Sequence, residues 1–229
     1  MRIYRPGHED PEPLEPGKWY DVEIMLDAPG HRLLPGHHWR LAVSPTYWPM
    51  AWPSPKPVTL RVRTGEARCL YLPVRPPKPL DETLDVFSEP EQSRPIPHEV
   101  LRTGRNTRSV EENVEEGRME IRHLSHHGST RLTDSDLEIY SQLEDHFSIV
   151  EGEPLSACVT CRGKIGLRRG DWAVRAETYS RMTSDAEVFH LTHVLDAYEG
   201  EVCVFNKTWD VTIPRNLVQT SRPLLGDRF

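Results

Sequence analysis

Three period-two runs near the C-terminus constrain the fold more than any other feature of this sequence. Trp172, Val174 and Ala176 alternate with Arg175 and Glu177, Phe189, Leu191, His193, Leu195 and Ala197 fall on one parity, and a third run spans Val202 to Trp209. Successive side chains of a strand point to opposite faces, so each run reads as a strand with one apolar and one wetted face. Thr183-Ser184-Asp185 and Glu199-Gly200 supply turns between them. The pattern predicts an antiparallel meander of three long strands. No segment sustains a 3.6-residue apolar period, and a short helix around residues 133–137 is the one helical expectation.

The rest of the chain reads as further strands separated by proline. Tyr20, Val22, Ile24 and Leu26 alternate with Asp21, Glu23 and Asp27; Trp39, Leu41 and Val43 form a second run; Val58, Leu60 and Val62 form a third; and a short one covers Cys69 to Leu72. After Arg118 short strands resume at Met119 and Ile121, at Leu137 and Ile139, and near Ala157, Val159 and Cys161. The 21 prolines favour ordered connections over helices. Seven of them, from Pro73 to Pro97, predict a long crossing connection over residues 73–108. The organisation expected is an extended lead-in at residues 1–17, followed by a single β-sandwich domain at 18–229.

Charge and composition exclude some functions. The net charge of −7 comes with scattered basic residues, whereas nucleic-acid phosphates need a basic stripe. No apolar run approaches the roughly 20 residues that span a bilayer, and Met1-Arg2-Ile3-Tyr4-Arg5-Pro6 lacks the apolar core of a signal peptide. Four cysteines in 229 residues do not make a secreted disulfide framework. The expectation is a cytoplasmic protein with neither nucleic-acid nor membrane partners.

The usual catalytic constellations are missing. An α/β-type serine hydrolase needs Gly-x-Ser-x-Gly at a strand-to-helix turn, but the two glycines spaced four apart, Gly166 and Gly170, flank Arg168. Ser44 lies within an expected strand before Pro45 and reads as structural. Cys158-Val159-Thr160-Cys161 is one CxxC where a zinc ribbon needs two, and on a strand its cysteines point to opposite faces. His37 and His38 also have opposite parity, as do His190 and His193. His193 reads as a hydrogen-bonded histidine on the apolar face, and His123, His126 and His127 as a polar loop before Gly128. No catalytic, cofactor-binding or metal-binding residue is assigned.

The segment Tyr47-Trp48-Pro49-Met50-Ala51-Trp52-Pro53-Ser54-Pro55 presents a stiff apolar surface with little side-chain entropy to lose. Such a loop either folds against its own domain or forms an interface. Tyr47, Trp48, Met50 and Trp52 are the candidate interface residues, with Trp48 and Trp52 alternatively a carbohydrate-stacking pair or part of a stand-alone protein-binding module.

With Pro35-Gly36-His37-His38-Trp39-Arg40-Leu41-Ala42-Val43-Ser44 and the Trp/Pro segment, the chain resembles the C-terminal non-catalytic domain of the X-Pro dipeptidyl-peptidase and cocaine-esterase group of hydrolases. Pro11 to Gly17 with Tyr20-Asp21-Val22, Gly170-Asp171-Trp172, Ala197-Tyr198-Glu199-Gly200, Phe205, Trp209 and Ile213-Pro214-Arg215 extend the likeness. The resemblance implies an all-β, jelly-roll (galactose-binding-like) sandwich packed on an α/β-hydrolase domain that carries the catalytic triad. This chain alone is then expected to be inactive. Only about ten residues precede the segment matching 11–26, so the sandwich is expected to lack its first strands. That would leave an edge or face uncovered, to be met by a separately encoded α/β-hydrolase domain or by self-association.

Overall fold

The computed structural model describes residues 14–24, 26, 30–56, 58–65, 70–83 and 87–215. The protein is all-β, as expected. Eight strands make one antiparallel sheet, a layer of the kind an all-β sandwich stacks on a second: β1 (His98–Arg102), β2 (Arg105–Asn113), β3 (Arg118–Leu132), β4 (Leu137–Val150), β5 (Glu153–Arg169), β6 (Trp172–Ser184), β7 (Val188–Glu199) and β8 (Val202–Pro214). From β3 to β8 each strand pairs with the next, while β1 and β2 lie end to end along the same edge of β3. The meander expected from the last three runs is present, with β8 continuing past Trp209.

The central strands are longer than the sequence pattern predicts. β3, β4 and β5 run for 15, 14 and 17 residues. Polar residues such as His123, Ser125, Asp145 and Ser141 interrupt their apolar parity, but backbone pairing continues through them. His123, His126 and His127 therefore lie in β3 rather than in a loop, with His126 Nδ1 accepting the Gly128 N–H at 2.9 Å. The helix expected near 133–137 is a turn at residues 133–136, where Asp136 adopts φ 53° before β4 begins. The sheet starts at His98, inside the 73–108 stretch. A 3₁₀ turn at Pro79–Glu82, closed by an Arg75–Asp81 ion pair, is the one regular piece described in the proline-rich part.

The earlier runs differ from expectation. Tyr20–Leu26, Trp39–Ser44 and Val58–Arg63 form no strand where described, and Cys69 lies outside the described residues. Ile24 is 73% exposed, and Leu41 and Val43 are also exposed. Alternation alone does not make a strand, because the ladder needs a partner for every second N–H and C=O. Among the described residues these runs form no strand ladder.

Register determines where the core sits. Ile121, Phe147, Val159, Met182, Leu191 and Val211 stand in one row across the sheet. The inner face carrying that row holds the two most buried hydrophobic residues, Ile121 at 6% and Ala157 at 0% exposure. The next row is polar: His123, Asp145, Cys161, Ser180, His193 and Trp209. Beyond it the face is apolar again but open, with Leu143 at 44%, Ile165 at 53% and Phe205 at 46% exposure.

Candidate interface at the tryptophan-proline loop

The loop begins with a local lock. The Ser44 hydroxyl donates to Thr46 C=O at 2.6 Å and accepts from Thr46 N–H at 3.2 Å, so Ser44 has a structural task. Ala51 N–H then closes a turn on Tyr47 C=O at 2.8 Å, around a cis Trp48–Pro49 bond. This turn sends Trp48 and Trp52 toward the sheet and Tyr47 and Met50 away from it.

The two indoles dock on the apolar end of the inner face. Trp48 meets Phe147 of β4 edge-to-face at 6.3 Å, Trp52 meets Phe189 of β7 at 5.7 Å, and the indoles meet each other at 5.2 Å and 83°. Edge-to-face pairing sets the positive rim of one ring on the negative face of the next. Both tryptophans are half-buried. They therefore do not form the flat exposed pair that a carbohydrate platform requires.

Arg215, just after β8, clamps the loop to the turn between β6 and β7. Trp52 Nε1–H donates to Ser184 Oγ at 3.0 Å, and Arg215 Nη1 donates to the same oxygen at 2.8 Å and to Asp185 C=O at 2.8 Å. Arg215 Nη2 reaches Pro53 C=O at 2.6 Å, and its guanidinium lies 4.8 Å from the Phe189 ring centroid. A planar cation with five donors can satisfy several oxygens while stacking on an aromatic face. Ser184, 8% exposed, is the buried hydroxyl where loop, hairpin and C-terminal segment meet.

Asp185 holds that hairpin. Its carboxylate accepts from Glu187 N–H and Val188 N–H, both at 2.8 Å, and pairs with His190 at 2.9 Å. The two backbone N–H groups, then His190, bring its pKa down to about 2. A lowered folded-state pKa favours the carboxylate. Its stabilisation is complete above about pH 4 and is lost as pH falls toward 2. An acid titration followed by NMR is therefore expected to shift the Trp52 indole N–H and the Val188 amide together, with a midpoint near pH 2. Asp185→Asn is expected to flatten the titration; an indole signal unmoved by pH in the native chain would uncouple loop and hairpin.

Outward, Tyr47 is 70% and Met50 78% exposed. The loop thus divides the four candidate residues into two anchors and two that face solvent. The sequence pattern located the loop but not its clamp: Ser184, Asp185 and Arg215 are ordinary turn and strand-end residues until the fold brings them together.

Other chemistry-bearing groups are dispersed over the sheet. Cys158 pairs in register with Ser148 and Cys161 with Asp145, so the two cysteines occupy opposite faces of β5. Burial, then the Asp145 carboxylate, pushes the Cys161 thiol up to about 11, which keeps it protonated near neutrality. His193 shares a 2.5 Å hydrogen bond with Ser180 and lies against Trp209. On the outer face, Glu177 joins Lys164 at 2.9 Å and Arg175 at 3.1 Å. That row borders an open groove of about 460 Å³, also lined by Gln142, Arg162 and Tyr179. Among the described residues no three His, Cys, Asp or Glu side chains converge as a metal site would require.

Comparison with known families decides the affiliation. Residues 1–133 match the family model described as the X-Pro dipeptidyl-peptidase C-terminal non-catalytic domain. The chain belongs to that family. The match takes in the whole tryptophan-proline loop and ends at the turn after β3, so the loop is part of this non-catalytic domain. No curated protein and no solved structure matches the chain.

Proposed function

We propose that this chain is the accessory half of an X-Pro dipeptidyl-peptidase-like serine hydrolase and acts with an α/β-hydrolase domain that these 229 residues do not include. The observation that carries the reading is the match of residues 1–133 to a family of non-catalytic domains. The missing Gly-x-Ser-x-Gly elbow and the wholly antiparallel sheet of the described residues support it. Ester and X-Pro-amide hydrolysis would belong to the partner domain, and this half would supply packing surface and shape to the assembly.

Its docking surface in this reading is the open part of the inner face, at Leu143, Ile165 and Phe205. An exposed apolar patch rimmed by polar residues is characteristic of an interaction site. The free thiols of Cys158, Cys161 and Cys203 accord with a cytoplasmic setting. No helix among the described residues is long and apolar enough to cross a membrane.

The test is direct. The purified chain is expected to leave aryl esters and X-Pro-p-nitroanilides unhydrolysed above the buffer rate. Turnover that co-purifies with the chain and survives replacement of its serines would overturn the reading.

A further inference from the structure

The two edges of the sheet are built differently. β2, on one side, carries Arg105, Arg108, Glu111 and Glu112 within nine residues, the charge pattern that deters strand addition. β8, on the other, ends the sheet, and among the described residues nothing pairs with its outer side. Over thirteen residues it has two charges, Lys207 and Asp210, and its one proline is the last residue, Pro214. An edge so long and so weakly charged is a template for another strand.

The side chains of β8 indicate which strand it suits. Its pairing with β7 puts Phe205, Lys207, Trp209 and Val211 on the inner face, and Asn206, Thr208 and Asp210 on the outer face. The register shift between Ala197 and Tyr198 limits the regular stretch to Phe205 onward. Two antiparallel copies of this stretch, related by a two-fold axis through Thr208, put complementary groups opposite each other. Phe205 meets Val211, Lys207 meets Trp209, Asn206 meets Asp210, and Thr208 meets its own copy. Lys207 already lies 4.8 Å from the Trp209 ring centroid within one chain, so the cation-aromatic pairing is available in the geometry of the strand. A shift by two residues one way sets Lys207 against Lys207, and the other way sets Lys207 against Val211. An odd shift would turn the inner face of one copy against the outer face of the other.

We infer that β8 is a self-association edge and that two copies of this chain pair antiparallel through Phe205–Val211, centred on Thr208, into one continuous sheet. The contact is isologous, as a two-fold dimer requires, and its small size makes it a weak, concentration-dependent dimer. It leaves the apolar inner face open on both copies and shares only Phe205 with the docking surface proposed above.

Thr208 is exposed on the outer face, so substitution there leaves the fold intact, which far-UV circular dichroism checks. Sedimentation velocity is expected to show the native chain dimerising as its concentration rises. Thr208→Glu and Thr208→Lys each place two like charges opposite one another and are expected to weaken association by about tenfold or more. Mixing the two variants is expected to restore the dimer. A native chain that stays monomeric, or variants that dimerise like the native chain, would overturn the proposal. A Thr208→Lys chain that associates better than the native one, or a mixture that remains monomeric, would overturn the Thr208-centred register.

Discussion

Gly128→Ala is expected to destabilise the protein by about 3 kcal/mol or more, measured as the shift in urea midpoint at unchanged slope. Gly128 sits at φ +77°, and a Cβ there would lie 2.0 Å from the Arg102 carbonyl oxygen and 2.8 Å from Gly104 N. Both obstacles are backbone atoms and cannot rotate aside. They belong to the joint at which β1 and β2 meet along β3, where the register shifts between His126 and Ser129. An alanine must therefore push the two edge strands apart. Gly152 provides the control, because it has φ +76° with nothing within 4 Å of the added Cβ. Gly152→Ala is expected to cost only the left-handed strain, about 1 kcal/mol. If the two alanines cost the same, the joint is not closely packed.

The second large effect is expected at the loop anchor. Trp52→Ala removes the edge-to-face contact with Phe189, the contact with Trp48 and the donor to Ser184. A fully buried tryptophan costs more when truncated; for this half-buried one about 2–4 kcal/mol is expected. Trp52→Phe keeps a ring and loses the N–H, with an expected cost near 1 kcal/mol. The exposed Tyr47→Ala is expected to stay within about 0.5 kcal/mol. Chemical denaturation followed by circular dichroism separates the three. Equal losses at Trp52 and Tyr47 would contradict the division of the loop into anchors and solvent-facing residues.

Part of this architecture is legible residue by residue. The strands β6, β7 and β8 follow from strict alternation, because a sheet with one wetted face imposes period two on its sequence. The turn at Gly200 follows from a residue that reaches positive φ cheaply. The opposite facing of Cys158 and Cys161 follows from parity. The same reasoning overreads Tyr20–Leu26 and Trp39–Ser44, since parity reports a face and not the partner that must hydrogen-bond the edge. It underreads β3 to β5, where polar residues such as His123 and Asp145 lie on the apolar parity, as Ser180 of β6 and His193 of β7 also do. These residues are tolerated there because they face one another across strands: Asp145 with Cys161, Ser180 with His193.

The site divides along the same line. The loop's residue content marks it as unusual, and two tryptophans among prolines can be read directly as a stiff apolar element. That Trp48 and Trp52 turn inward while Tyr47 and Met50 turn outward depends on a surface built from Phe147 and Phe189, about 100 residues or more away along the chain. Arg215 lies 162 residues from the Pro53 carbonyl it binds.

The all-β class, the family, the period-two strands of the meander and the absence of a nucleophile elbow are all written in local stretches of this chain. Each is a local pattern, or a sum of local patterns, that backbone geometry translates without reference to distant residues. Tertiary structure alone decided which face is covered, where the loop is anchored and which edge is unpaired. Those depend on the register of strands far apart in sequence, and register exists only once the ladder of backbone hydrogen bonds has formed.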